Sequence, residues 1–280
     1  MLPLLAAVLP RQAPRVDHDL IYMKAGGAAF TMDEFRPAKP NGMAVLFMVS
    51  GGWTSDHKDI NALLAGPFNA KGITLFQVVP GSQPRYKIPE MEVMASQAVR
   101  YVRANAARLG VSPTKIGIVG MSSGGHLSLM TGALANLGKP DAKDPVERVS
   151  SRPDAIVAFA PPTDMADFGT PGRMPFNEDK YKVFLPAFPA APTDVPGLTK
   201  AAKELSPITY VTPAFPPTML IHGDKDDLVP LQQSQVMDAA LAKAGVEHRL
   251  VVVPNGKHDA SVIFGGMAAM FEWFEKELSK

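Results

Sequence analysis

Apolar positions along this chain follow two alternating patterns. Short continuous runs at residues 43–49, 73–79, 115–119, 155–160, 218–221 and 250–253 recur between longer stretches with helical spacing. A strand that is apolar on both faces must be covered on both faces, so these runs predict a parallel sheet between two helix layers. Residues 19–24 and 28–35 read as two opening strands around the Gly26-Gly27 turn. One helix is predicted from Pro89 to Gly110, with Met94, Ala98, Tyr101 and Val102 along one stripe. Others are predicted over 127–137, over 231–244 before Gly245, and over 267–278. The alternation predicts an α/β fold with a mostly parallel central sheet flanked by helices, as a single domain over residues 1–280.

One region breaks the rhythm. Residues 161–217 hold 12 of the 27 prolines and few periodic runs. Proline fixes φ and removes a backbone donor, so no strand–helix unit is expected there. The stretch is too long for an ordinary connection and is expected to be a Pro-rich insertion, either a lid or pocket wall or an irregular excursion.

Composition narrows the classes. The chain has 280 residues, 46% hydrophobic, with no cysteine and a formal net charge of +1. Absence of cysteine removes disulfide scaffolds and cysteine-based zinc sites. The near-zero charge argues against nucleic acid as a partner. No apolar run reaches the length of a membrane span. Residues 2–9 are apolar and precede Pro10 and Arg11. They read equally as a signal-peptide remnant over 1–13 or as an N-terminal arm over 1–16, so a soluble cytoplasmic protein and an exported one both stay open.

The strongest chemical signal is Gly120-Met121-Ser122-Ser123-Gly124, a G-x-S-x-G pattern between a buried strand and a helix. A nucleophile on such a sharp turn brings its neighbours two before and two after into close approach, where only small residues fit. Ser122 has glycine at both positions. Ser123 has Met121 at its minus-two position, so Ser122 is the expected nucleophile and Ser123 contributes a backbone N–H. Of six histidines, His258 alone lies in a loop between the last apolar run and the last helix, where a base meets the same sheet edge. His126 reads as a structural contact, His222 as a buried hydrogen-bonding residue, and His57 as a candidate pocket residue. The segment His222-Gly-Asp-Lys-Asp-Asp offers Asp224, Asp226 and Asp227 as the orienting acid. Three acids also suit a hard cation, but a full ligand loop is missing, so no metal and no cofactor are expected. Gly51 and Gly52, after an apolar strand, are candidate oxyanion donors together with Ser123. Trp53, Met121 and Phe168 are candidate substrate-binding walls.

These motifs resemble the α/β-hydrolase superfamily, in its carboxylesterase branch related to hormone-sensitive-lipase-like and feruloyl or acetyl-xylan esterase-like enzymes. The resemblance runs from about Met43 to Phe274. It rests on Gly120-Met-Ser-Ser-Gly-Gly-His126, Leu205-Ser-Pro-Ile-Thr-Tyr210, His222-Gly-Asp-Lys-Asp-Asp-Leu-Val-Pro230 and Gly256-Lys-His258. It implies the order Ser, Asp, His along the chain and selects Asp226 as the acid. One departure stands out: the family's H-G-G-G-W loop reads Val49-Ser50-Gly51-Gly52-Trp53, so a brace through the leading histidine is missing. The implied activity is hydrolysis of short-chain acyl esters, small-molecule substrates, through an acyl-enzyme. Alternatives are a prolyl-oligopeptidase-type serine peptidase, a catalytically silent binding module on the same fold, and hydrolysis of a thioester or lactone.

Overall fold

The computed structural model describes residues 14–175 and 178–280. The expected signal remnant at 1–13 lies outside the described residues. The arm expected over 1–16 ends inside the first strand, which starts at Arg15.

Eight strands form one sheet: β1 (Arg15–Ala25), β2 (Ala28–Arg36), β3 (Ala44–Met48), β4 (Thr74–Val78), β5 (Ile116–Met121), β6 (Ala155–Phe159), β7 (Thr218–Gly223) and β8 (His248–Val253). Their order is β1-β2-β4-β3-β5-β6-β7-β8. β1 and β2 pair antiparallel, β2 pairs antiparallel with β4, and every pairing from β4 through β8 is parallel. The continuous apolar runs have a simple cause. Ala44, Leu46 and Met48 of β3 join the core on one face, with Ile116 and Ile118 of β5 and Leu220 of β7. Val45, Val119, Val157 and Ile221 join a second core on the other. Strand alternation thus delivers apolar side chains to two helix layers at once.

The helices are α1 (Ala62–Ala70), α2 (Ile88–Ala104), α3 (Ala106–Leu109), α4 (Ser123–Ala133), α5 (Val195–Glu204), α6 (Gln232–Ala244) and α7 (Ala260–Glu277). Side chains of α2, α4, α5 and α6 build the first core, and those of α1 and α7 the second. Several boundaries differ from the sequence expectation. The predicted 89–110 helix is two, broken at Asn105, whose side chain donates to the Tyr101 carbonyl at 2.9 Å. α4 begins four residues before 127, and α7 seven before 267, where the Asp259 side chain caps Ser261 N–H. α1 shows no clear apolar stripe and carries Pro67, so periodicity did not reveal it.

The Pro-rich insertion is more ordered than its sparse periodicity suggests. Among the described residues it has no strand, yet it contains α5 and 3-10 turns over Asp179–Ala187 and Pro207–Tyr210. Pro196 and Pro207 each stand in the first turn of a helical segment, and Pro186 lies within the Asp179–Ala187 turns. Pro196 stands in the first turn of α5, where no N–H is needed, and Asp194 caps Gly197 at 3.0 Å.

Candidate active site

β5 runs into α4 through Ser122, which holds φ 55° and ψ −122°. That conformation costs a side-chain-bearing residue about 1–3 kcal/mol and persists only when its surroundings enforce it. Here they do. The Ser122 N–H donates to the Phe159 carbonyl at 2.8 Å. A Cβ on Gly120 would lie 2.3 Å from the backbone of Gly124, and one on Gly124 would lie 2.6 Å from the Met48 carbonyl oxygen. The two glycines of the motif are therefore steric necessities of the turn, and they leave the Ser122 hydroxyl facing an open cleft.

Asp226 and His258 follow β7 and β8. The two loops are tied together: Lys225 N–H donates to the Gly256 carbonyl at 2.9 Å, and Asp224 accepts Asn255 N–H at 2.7 Å. His258 Nδ1 lies 2.7 Å from Asp226 Oδ2. The Asp226 side chain is completely buried. Its Oδ1 accepts the N–H groups of Leu228 and Val229 at 3.0 and 2.8 Å. Burial alone would raise its pKa. The adjacent His222 ring, the hydrogen bond and charge of His258 and the Val229 N–H outweigh that and hold the carboxyl well below the usual carboxylate range. An ionised Asp226 requires the proton of His258 on Nδ1, which leaves Nε2 with a free lone pair. The Ser122 hydroxyl makes no hydrogen bond to that ring among the described residues; such contacts often tighten only with substrate.

The remaining acids and histidines separate cleanly. Asp224 is engaged by Asn255, and Asp227 accepts Lys180 Nζ through its carbonyl. His57 lies away from the cleft, with Nε2 3.1 Å from the Thr31 hydroxyl. His126 is fully buried, and its Nε2–H donates to the Leu205 carbonyl at 2.7 Å. Among the described residues no three His, Asp or Glu side chains form a group suited to a metal ion.

The expected oxyanion loop offers fewer free donors than its sequence suggests. Gly51 forms a small bridge with Thr54, its N–H donating to the Thr54 carbonyl at 2.9 Å, so Gly51 is not free to serve a substrate. The Gly52 N–H has no partner among the described residues, nor has that of Ser123 at the start of α4. Gly52 adopts φ 58°, and a Cβ there would meet the Phe184 ring at 2.6 Å. The missing histidine is compensated by other braces. Gln83 Nε2 donates to the Gly52 carbonyl at 2.6 Å, Ser50 Oγ meets Ser123 Oγ at 3.0 Å, and Trp53 Nε1–H donates to His126 Nδ1 at 3.3 Å.

The cleft above Ser122 is narrow, with a cavity volume of about 40 Å³. Gly52, Trp53, Phe168, Tyr181, Phe184, Leu228 and Val229 line it, with Pro162, Met165 and Pro175. Trp53 and Phe168 are therefore part of its walls. Met121 is not. Strand alternation sends its side chain to the opposite face of the sheet, into a small apolar void with Phe68, Val119 and Met270. Tyr181 and Phe184 carry no motif and could not be found from sequence. Leu228 and Val229 lie inside the acid motif, so their place on the wall follows from that of Asp226.

The sequence model of the BD-FAE family matches residues 32–241. Over 221 residues the chain is 33% identical to an esterase, LipQ, of Mycobacterium tuberculosis, covering 76% of this chain and 49% of that protein. It spans about half the length of the curated relatives it matches first. A truncated carbohydrate esterase from gut microbiota superposes with a TM-score of 0.80 at 24% identity, over 97% of this chain and 99% of that one. An acetyl ester-xyloside bifunctional hydrolase from Caldicellulosiruptor lactoaceticus does so with a TM-score of 0.72 at 26% identity, over 98% and 97%.

Proposed function

The chain belongs to the BD-FAE family of α/β-hydrolase esterases, and on that premise we propose that it is a serine carboxylic-ester hydrolase acting on short-chain acyl esters. The observation that carries the proposal is a strained serine facing an apolar cleft, on the same sheet edge as an imidazole held by a buried carboxylate.

His258 Nε2 takes the proton of the Ser122 hydroxyl as its oxygen attacks the ester carbonyl. Asp226 keeps the ring in the Nδ1–H tautomer and stabilises it when both nitrogens are protonated. The N–H groups of Gly52 and Ser123 receive the oxyanion, each worth about 2.7–4 kcal/mol of barrier. His258 returns its proton to the leaving alcohol, leaving an acyl group on Ser122. Water, deprotonated by the same ring, releases the acid and restores the hydroxyl.

A panel of p-nitrophenyl acyl esters beside aminoacyl anilides, run on the wild type and Ser122→Ala, tests this. Short esters should be cleaved and anilides spared. Ser122→Ala, folded by circular dichroism, should lose several orders of magnitude in kcat. Undiminished ester cleavage by that variant rejects Ser122, and preference for anilides moves the assignment to a peptidase.

A further inference from the structure

We infer that His222 is a positioning residue for the acid of this site, bracing the Asp226 loop through the Val229 carbonyl while its ring stands against the same Asp226 oxygen that binds His258. This inference rests on the esterase assignment of Ser122, Asp226 and His258.

His222 lies near the end of β7, fully buried, four residues before Asp226. Its Nε2 is 2.9 Å from the Val229 carbonyl oxygen and 3.4 Å from Asp226 Oδ2. Both neighbours are acceptors, so Nε2 must carry the proton; it donates to Val229, and Asp226 Oδ2 lies beside that N–H. Nδ1 is then the acceptor, and the Ser234 hydroxyl, 2.7 Å away, donates to it. Asp226 is thereby enclosed on every side. Oδ1 takes two backbone N–H groups, and Oδ2 lies between two imidazoles. A core histidine with only a packing role would satisfy itself on Val229 and Ser234. The additional approach to the one oxygen that orients His258 is what assigns the role.

The chemical consequence has a sign. The positive end of an N–H dipole 3.4 Å from Oδ2 offsets part of the negative charge on the oxygen that stabilises protonated His258. Without it, Oδ2 interacts more strongly with His258, and the base should hold its proton to higher pH. The titratable groups facing Asp226 are His222 from β7 and His258 from the β8–α7 loop, and Asp259 is in electrostatic contact with the His258 ring.

Three readouts on the full chain test this. Ring 15N shifts of the wild-type protein should report His222 as the Nε2–H tautomer; the Nδ1–H tautomer overturns the inference. His222→Leu removes the donor, and His222→Gln keeps one. In the Leu variant the NMR titration midpoint of His258, and the acid limb of kcat/KM, should rise by about half a unit or more. Its kcat should fall about tenfold with KM little changed, and Gln should recover most of both effects. A midpoint unmoved or lowered in the Leu variant, or an equal loss with Gln, overturns it. Should the Leu variant not fold, the wild-type tautomer decides. Absence of Ser122-dependent hydrolysis would remove the esterase assignment while leaving the NMR result intact, so the two failures are distinguishable.

Discussion

Glu92 sits on α2 with 5% of its surface exposed and one carboxyl oxygen without a partner. Burial pushes its pKa up to about 8. A carboxyl whose folded value exceeds its unfolded one contributes its full stability only below the unfolded pKa, and loses it as pH rises through the folded value. The melting temperature of the wild type should therefore decline between about pH 5 and pH 8 relative to Glu92→Gln. A constant difference between the two would show that Glu92 is ionised at both ends. His126 works in the opposite sense. Burial lowers it from 6.5 to about 4, against the Leu205 hydrogen bond, so it stays neutral where Trp53 needs its lone pair. Its folded value is depressed, so its contribution is present above 6.5 and lost as pH falls through about 4. Acidification should thus loosen the Trp53–His126–Leu205 connection before any carboxylate of the site is protonated, read as a downward step in melting temperature that His126→Asn lacks.

At the scale of elements, the Pro-rich insertion behaves as a wall. Tyr181 Oη donates to the Leu228 carbonyl at 2.7 Å, and its ring meets Phe168 edge-on at 5.4 Å. Phe184 meets Trp53 in the same manner at 5.9 Å. The 3-10 turns over Asp179–Ala187 are thereby fastened to the acid loop and to the oxyanion loop together, and Lys87 Nζ binds the Pro186 carbonyl from the start of α2. Their aromatic side chains narrow the cleft, and under the proposed esterase activity they would limit the size of the acyl group. Phe184→Ala removes the ring that covers Gly52 and should shift ester preference toward longer acyl chains, by about fivefold or more in relative kcat/KM per added methylene, since each buried methylene is worth about 1 kcal/mol or more. An unchanged chain-length profile would place the size limit elsewhere in the wall.

Across the whole molecule, the site is assembled from loops far apart in sequence that meet at one edge of the sheet. The closest junction is Gly223 against Gly256, where a Cβ on Gly223 would lie 2.1 Å from the Gly256 carbonyl oxygen. Backbone cannot yield as a side chain can, so Gly223→Ala should push the acid and base loops apart. Hydrolysis should fall steeply and the melting temperature drop; a variant with wild-type kcat would show that the loops adjust without cost. The parallel strands were legible because a short continuous apolar run between turn residues suits a strand covered on both faces and little else. β1 and β2 showed themselves through the Gly26-Gly27 turn between them. Ser122 and His258 stood out as candidates because the strand-to-helix turn and the loop after the last strand each admit few residue types. The choice of Asp226 among three acids came from resemblance alone, since nothing local separates it from Asp224 or Asp227. What the order of residues determined by itself was the alternation of elements and the small residues the elbow needs, because both follow from local sterics and periodicity. Only the tertiary structure decided that Gly51 is occupied by Thr54, that Met121 points away, that Phe184 and Tyr181 wall the cleft, and that His222 reaches Asp226. Each of those depends on which distant segments come into contact, and hydrogen-bond partners across a fold leave no period in the chain.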